Sequence, residues 1–336
     1  MRRPFSAIAL MAAGAAAEVS PAFANDTTAE LATGGLVFVQ NPNVAMQSED
    51  LFVSVPQIRV AYRFFNTGVA EVTNLVAFPM PDITFDSPDT NIAIPTQDAQ
   101  NFLGFFTTAN AKPVATQVEQ RAYAKGVDRT ALLQQLGIPL APQLSATDNA
   151  LDALPRDKWQ QLVDLGLAYI DEYHDTGTGM KQHLEPRWTL KTTFFWQQTF
   201  PAHQQTLIEH QYTPSVGSSV ESLIGNPGFP EPAGYKQKYC TDPDFIAAAA
   251  QAWERARRAN VTAPAEQRID YILKTGANWA GPIADFTLTV DKGRPDNLIS
   301  FCGNGVKKIS PTRFQVHYTN FTPTGDLAVV ILTSHP

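Results

Sequence analysis

The stretch Ile58-Arg-Val-Ala-Tyr-Arg-Phe alternates strictly, with Ile58, Val60, Tyr62 and Phe64 on one side of an extended chain and Arg59 and Arg63 on the other. Period-two alternation reads as a strand with one packed and one wet face. The pattern returns at Trp188, Leu190, Thr192, Phe194 and Trp196, at Phe286, Leu288 and Val290, and at Phe314, Val316 and Tyr318. A helix would scatter these side chains around its circumference. The chain is therefore expected to be mainly β, in antiparallel sheets that bury one face. Composition agrees. Of the 336 residues only 17% are charged, against ~25% in an average soluble protein, and 25 prolines and 10% aromatics suit strands and turns.

The alternation sorts into a mainly β (α+β) chain of two β-sandwich-like units. The first covers 25–217 and the second 239–336, joined by a linker rich in Gly, Pro and Ser at 218–238. In the first, GLVFVQ and AMQSEDLFVSV are broken by Asn41-Pro42-Asn43, and Asn66-Thr67-Gly68 turns the chain into VTNLVAFPM. Residues 81–112 read as an irregular excursion and 114–123 as extended. The period then changes, and 126–180 reads as a helical insertion. Asp128 can cap a short helix over Arg129–Leu136, stopped by Gly137. A longer helix starts at Pro155 and carries the stripe Trp159, Leu162, Val163, Gly166, Ile170 and Tyr173 to the Gly177/Gly179 cluster. Strands return at 187–200, and Pro201–Gln204 predicts a hairpin into QTLIEHQYT. The second unit opens with one long helix, capped by Asp242 with Pro243 at its first position and Arg255, Arg257 and Arg258 toward its negative end. Strand-like runs RIDYIL, IADFTLTVD, LISFC, RFQVHY and LAVVIL follow.

Residues 1–24 read as an export signal. Arg2 and Arg3 precede an apolar run from Ala7 to Ala17, and Ala22 and Ala24 form an A-x-A site, so the mature chain is expected to start at Asn25 in the periplasm or outside the cell. The run is shorter than the ~20 apolar residues a membrane span needs, and no later segment predicts a span. In an oxidising compartment the two cysteines, Cys240 and Cys302, are expected to form one disulfide. The formal charge of −7 and the absence of a basic block argue against a nucleic-acid partner.

Chemistry-bearing patterns are few. H-E-x-x-H, G-x-S-x-G, a Walker loop and G-x-G-x-x-G are all missing from the sequence, and Gly177-Thr-Gly179 reads as a loop. Asp82, Asp86 and Asp89 could gather at a hard cation, but their spacing is no EF-hand and reads better as turn acids. Asp171, Glu172 and Asp175 read as a wet helix end opposing the helix dipole. The histidines are His174, His183, His203, His210, His317 and His335. His203 and His210 would approach each other in the predicted hairpin, and His210, on a face with Ile208 and Tyr212, reads as a hydrogen-bonded, partly buried imidazole. Trp188, Phe194 and Trp196 read as core rather than a sugar-stacking platform, while Phe195 on the opposite face would mark an interface. Asn25, Asn260 and Asn320 head N-x-T triplets. No catalytic, cofactor-binding or metal-binding residue is assigned.

Five stretches resemble an exported bacterial family known as a domain of unknown function. They are Asn25-Asp-Thr-Thr-Ala-Glu-Leu-Ala-Thr-Gly-Gly-Leu, Met46-Gln-Ser-Glu-Asp-Leu, Leu75-Val-Ala-Phe-Pro-Met-Pro-Asp, Asn278-Trp-Ala-Gly-Pro-Ile-Ala-Asp-Phe and Phe321-Thr-Pro-Thr-Gly-Asp-Leu. The resemblance covers nearly all of the expected mature chain and implies a β-rich, exported protein of Gram-negative type. It implies no activity and supplies no catalytic residues. The expectation is a non-catalytic binding or assembly protein of the periplasm or envelope, whose partner is another envelope protein or a polymer. Two alternatives stand beside it: a carboxylate-dependent hydrolase of an envelope polymer, with 126–180 as one wall of its cleft, and a periplasmic carrier of a small molecule or metal.

Overall fold

The computed structural model describes residues 25–32, 35–85, 91–177 and 179–333. The expected export segment at 1–24, Asp86, Asp89 and His335 lie outside these residues.

Strands β1 (Thr27–Ala32), β2 (Gly35–Val39), β3 (Val44–Ser54), β4 (Ile58–Asn66) and β5 (Val72–Pro79) open the fold. Along β4 the expected alternation holds, with Ile58, Val60, Tyr62 and Phe64 buried and Arg59 and Arg63 exposed. Asn66 ends β4 and shapes the turn, its Oδ1 accepting from the Gly68 N–H at 2.9 Å. The excursion holds four short strands, β6 (Ile83–Thr84), β7 (Ile92–Ala93), β8 (Phe106–Ala109) and β9 (Lys112–Pro113), then β10 (Gln117–Ala124) and β11 (Val127–Asp128).

The expected helical insertion is only half helical. Helices α1 (Thr130–Gln135), α2 (Ser145–Asp152) and α3 (Arg156–Asp164) are followed by a hairpin of β12 (Ala168–Asp175) and β13 (Gly179–Pro186). The stripe running on to Ile170 and Tyr173 is thus corrected. Gly166 takes φ +74°, a left-handed conformation that stops the helix, and Ile170 and Tyr173 sit half-exposed on a strand. Trp159, Leu162, Leu167, Leu184 and Trp188 close a small core of their own.

A second correction concerns the predicted hairpin. Strands β14 (Thr189–Phe200) and β15 (Gln205–Tyr212) do not pair. β14 lies between β10 and β5, and β15 lies between β4 and β8. Residues 201–204 carry the chain from one sheet to another, held by Asn66, whose Nδ2 donates to the Phe200 carbonyl at 2.9 Å and whose carbonyl accepts from His203 N at 3.0 Å. Alternation cannot tell a hairpin from such an arch, because both strands bury one face against the same core in either case.

The chain continues through β16 (Val216–Ser219), α4 (Tyr235–Tyr239) and α5 (Pro243–Ala259). As expected, Asp242 caps α5, accepting from Phe245 N at 2.7 Å. β17 (Ala265–Tyr271), a 3-10 turn (Lys274–Asn278), β18 (Ile283–Asp291), β19 (Leu298–Phe301), β20 (Lys307–Lys308), β21 (Arg313–Phe321) and β22 (Leu327–Thr333) complete it. Residues 218–238 pack on the rest of the chain. Gly225 (φ +72°) sits so close to α5 that a Cβ there would come within 2.5 Å of Ala250 N, and Ser222 is buried on Glu266.

The molecule is mainly β with few helices, and one of its several sheets curls as a half-barrel. One sheet runs β11-β10-β14-β5-β1-β2, with β6 on β14; a second runs β20-β21-β18-β3-β4-β15-β8-β9; a third runs β19-β22-β17-β16-β7. Strands from both sides of 218–238 meet in the second, where β18 lies parallel to β3. The principal core also joins all three sheets, through residues such as Trp196, Tyr62 and Tyr271. No described helix is long and apolar enough to cross a membrane.

Cys240 and Cys302 are bonded, as expected, tying the entrance of α5 to the end of β19 across 62 residues. Chain-entropy reasoning assigns such a loop about 4 kcal/mol. Replacing both cysteines with serine should lower the unfolding free energy by about that amount. An unchanged urea midpoint would show that the bridge does not stabilise the fold.

Candidate functional sites

Three places concentrate chemistry: a sealed polar chamber in the core, an aromatic-walled cleft beside the disulfide, and a groove on the wet face of the long sheet.

The chamber is built where the start of β1 meets β3, β4, β15 and β17. Asp26 Oδ1 and His210 Nε2 lie 2.8 Å apart, both side chains fully buried. Trp279 Nε1 donates to the Asp26 carbonyl at 2.6 Å, and Thr275 Oγ1 to the Asn25 carbonyl at 2.7 Å. The Asn25 side chain bridges onward. Its Nδ2 donates to Glu49 Oε2 at 3.0 Å, and its Oδ1 accepts from the Tyr62 hydroxyl, which lies 3.0 Å from the Tyr271 hydroxyl. Phe78, Phe105, Trp196 and Tyr62 wall in the His210 ring.

Burial dominates the electrostatics here. It raises the Asp26 carboxyl above the usual carboxylate range, with His210 opposing. It pushes Glu49 up to about 8, the Asn25 hydrogen bond opposing and the Asp26 charge adding. The Tyr62 and Tyr271 hydroxyls are driven well above the usual tyrosine range for the same first reason. Glu49 Oε1, Asp26 Oδ2 and His210 Nδ1 are buried without a hydrogen-bond partner.

The cleft has a volume of about 800 Å³. Its walls are Phe286 and Leu288 of β18, Phe314, Tyr318 and Phe321 of β21, and Ile299 of β19, with the Cys240–Cys302 bridge at its edge. Phe286, Tyr318 and Phe321 pack ring on ring, with Phe286 and Phe321 centroids 4.7 Å apart and Tyr318 and Phe321 5.1 Å apart. Two acids line it, and both already serve backbone amides. Asp242 caps α5, and Asp326 Oδ1 accepts from Leu273 N at 3.1 Å and Lys274 N at 3.2 Å.

The groove, about 630 Å³, crosses the outer face of the long sheet. Directly opposed residues on neighbouring strands share a face, so the register sets Lys307, Gln315, Thr289, Phe52, Arg59, Gln211 and Phe106 in one row. The Arg59 and Arg313 guanidiniums approach the Phe52 ring, 4.8 and 5.6 Å from its centre. Phe106 is 53% exposed.

The residues singled out from sequence fall mostly elsewhere. His210 is the exception, a buried, hydrogen-bonded imidazole as expected. His203 stays in the 201–204 crossing, so no His203–His210 pair forms. Asp82 pairs with Lys191 at 3.3 Å, and its carboxyl is raised by burial against the pull of that lysine. Asp171 and Glu185 flank His183 at 3.2 and 3.1 Å on the β12–β13 hairpin. Glu172 accepts from Gln182, so these acids lie on a strand rather than at a helix end. Phe195 marks no open interface, being covered by Ala29 and Ala77. Trp188, Phe194 and Trp196 are core. Asn260 caps α5, and Asn25 is buried. Among the described residues no three His, Cys, Asp or Glu side chains cluster as metal ligands.

Sequence reasoning noted Asn25 only as the expected mature start and an N-x-T head, gave Asp26 and Glu49 no site role, and read Tyr62 and Phe286 as core only. Of the groove it read Arg59 as wet, and nothing signalled Phe106.

A family profile described as "Domain of unknown function (DUF4424)" matches residues 24–330. No curated protein is similar in sequence. Among solved structures, a Legionella pneumophila protein provisionally described as a nutrient binding protein is 18% identical, with 93% of this chain and 70% of that chain covered and a TM-score of 0.46.

Two predictions follow from the chamber. Replacing His210 with alanine leaves Asp26 buried and unpaired, and should cost roughly 3–5 kcal/mol in urea unfolding; a cost below 1 kcal/mol would mean that the pair is not sealed. The second concerns Glu49 in a chain that keeps residues ahead of Asn25, so that the Asn25 nitrogen is an uncharged amide. The folded carboxyl there holds its proton to about pH 8, while the unfolded one releases it near its ordinary value of 4.5. The native state then binds the extra proton, so stability is full below pH 4.5 and falls as pH rises toward 8. Glu49→Gln should flatten this part of the profile, measured by thermal unfolding between pH 5 and 8.

Proposed function

We propose that this chain, which belongs to the family described as a domain of unknown function (DUF4424), is an exported, non-catalytic binding protein that takes a small, mainly apolar ligand into the cleft beside the disulfide. The observation that carries this reading is the cleft itself. Its volume of about 800 Å³ lies within the range of small-molecule sites, about 300–1,000 Å³. Its walls are mostly aromatic and aliphatic, with Ser300, Asn304 and Thr324 among the polar residues lining it, and its two acids are held by backbone amides. The reading takes the sheets to be stacked as sandwich-like layers, with the cleft opening between β18–β21 and β19–β22. It also takes the export segment to be removed after Ala24, in keeping with the disulfide and the A-x-A site.

The hydrolase reading lacks comparable support. It needs acids of raised pKa gathered in a cleft that substrate can enter; Asp26 and Glu49 are buried, and the other raised carboxyls, Asp82, Asp148 and Glu185, line neither cleft nor groove. The 126–180 segment lines neither.

A second reading draws on the row from Lys307 to Phe106. Seven strands at about 4.8 Å spacing extend it to roughly 29 Å, a length suited to a strand of an envelope polymer or an extended partner segment.

One experiment separates the two. Binding of 1-anilinonaphthalene-8-sulfonate and of medium-chain fatty acids is measured by fluorescence and calorimetry. Saturable one-to-one binding that weakens about tenfold or more in Phe321→Ala, and is unchanged in Phe106→Ala, supports the cleft; truncating a buried aromatic contact costs enough for such a loss. Binding that falls only with Phe106→Ala, or none at all, overturns it.

A further inference from the structure

The residue expected to begin the exported chain is sealed in the core. Chain termini ordinarily lie at the surface, yet Asn25 and Asp26 are both 0% exposed. Their carbonyls are held by Thr275 and Trp279, and the Asn25 amide group touches Glu49. The charges around them do not balance. Two carboxyls, Asp26 and Glu49, share the chamber with one base, His210, which Asp26 takes. Tyr62 and Tyr271 are the other titratable groups that face Glu49, and neither brings a positive charge. Glu49 Oε1 has no partner. A buried acid in this state must keep its proton or find a cation.

The missing cation is supplied by chemistry at Asn25. Its backbone nitrogen shares a Cα with the side chain whose Nδ2 lies 3.0 Å from Glu49 Oε2. Covalent geometry keeps that nitrogen within about 5 Å of Nδ2. In a peptide bond it is a neutral amide. Water added across the Ala24–Asn25 bond yields a carboxylate on Ala24 and an ammonium on Asn25.

We propose that removal of the export segment leaves an α-ammonium on Asn25 that lodges in the chamber as the counter-charge of Glu49, so that maturation itself completes the core. Glu49 then gives its proton to solvent and remains a carboxylate, and the start of β1 is locked by an ion pair as well as by hydrogen bonds. This rests on the cleavage position adopted above, and the test keeps the two apart.

The test uses the full chain from Asn25 onward, with its disulfide formed, released from a cleavable fusion so that Asn25 is the first residue. A second form keeps Pro21–Ala24 in front. Both are treated briefly with an acetylating N-hydroxysuccinimide ester and analysed by peptide mass. The Asn25 amine should react on the order of 100-fold more slowly than the exposed Lys112, because it is reached only through local opening, and should react readily in urea. Thermal unfolding of the extended form should weaken from pH 5 to 8, whereas the Asn25-terminated form should hold its stability across that range. Glu49→Gln should abolish this difference between the two forms. Free labelling of Asn25 in the folded state, or identical pH profiles for the two forms, overturns the proposal. The labelling result decides it even where the glutamine variant does not fold. The terminal mass of protein recovered from the periplasm separately tests cleavage after Ala24. A different terminus there removes the cleavage reading, while the fusion-released chain still decides whether an Asn25 ammonium is buried against Glu49.

Discussion

Asp26 and His210 meet at 2.8 Å in a space without water access, and the centre of the fold is organised around that contact. Sequestering two ionisable groups is costly unless they are paired and their other polar neighbours satisfied. Here the pair binds β1, which belongs to one sheet, to β15, which belongs to another. Trp279 and Thr275 fasten the same two residues to the segment between β17 and β18. A one-residue slip of β1 would turn Asp26 to the opposite face and leave His210 alone. The polar chamber therefore specifies register where apolar contact alone would tolerate alternatives.

Much of this fold was legible in the sequence because alternation is a local property. Ile58 to Phe64, Trp188 to Trp196 and the runs around Phe286 and Val316 each announce a strand and its buried face, and the Asp242–Pro243 start of α5 is written in adjacent residues. Partnership between strands is not local. The arch at 201–204 and a hairpin bury identical side chains, and only the occupied edges of β14 and β15 separate them. The end of α3 misled for a related reason. Ile170 and Tyr173 continue the helical spacing by chance, and a single glycine, Gly166, stops the helix at Asp164, nine residues before the stripe ends at Tyr173.

The chamber was less legible than the fold. Asn25, Glu49, His210 and Tyr271 are scattered over nearly the whole chain, and only His210 carried a signal, a polar residue on an apolar face. Glu49 sits in Met46-Gln-Ser-Glu-Asp-Leu, where a carboxylate between polar neighbours looks solvated. A bulge between Met46 and Ser48 shifts the register of β3 against β4 and sets Glu49 opposite Tyr62, on the buried side. Phe195 errs in the other direction. It stands on the face that alternation leaves wet, but β1 adds to the edge of β5 and sets Ala29 in the same apolar cluster on that face.

Where the molecule keeps its perturbed acids bears on what its surfaces can do. General acid–base catalysis needs a group whose pKa is shifted toward the working pH and which substrate can touch. Among the described residues, none of the carboxyls held above the usual range, Asp26, Glu49, Asp82, Asp148 and Glu185, lines the cleft or the groove. Glu49 has the shifted pKa and no access; Asp242 and Asp326 have access to the cleft, but backbone amides hold their carboxylates. Tyr318 and Phe321, backed by the buried Phe286, offer that cleft ring faces, which favour association through burial of apolar surface. The polar groups of the core act on structure, holding the start of β1 in place.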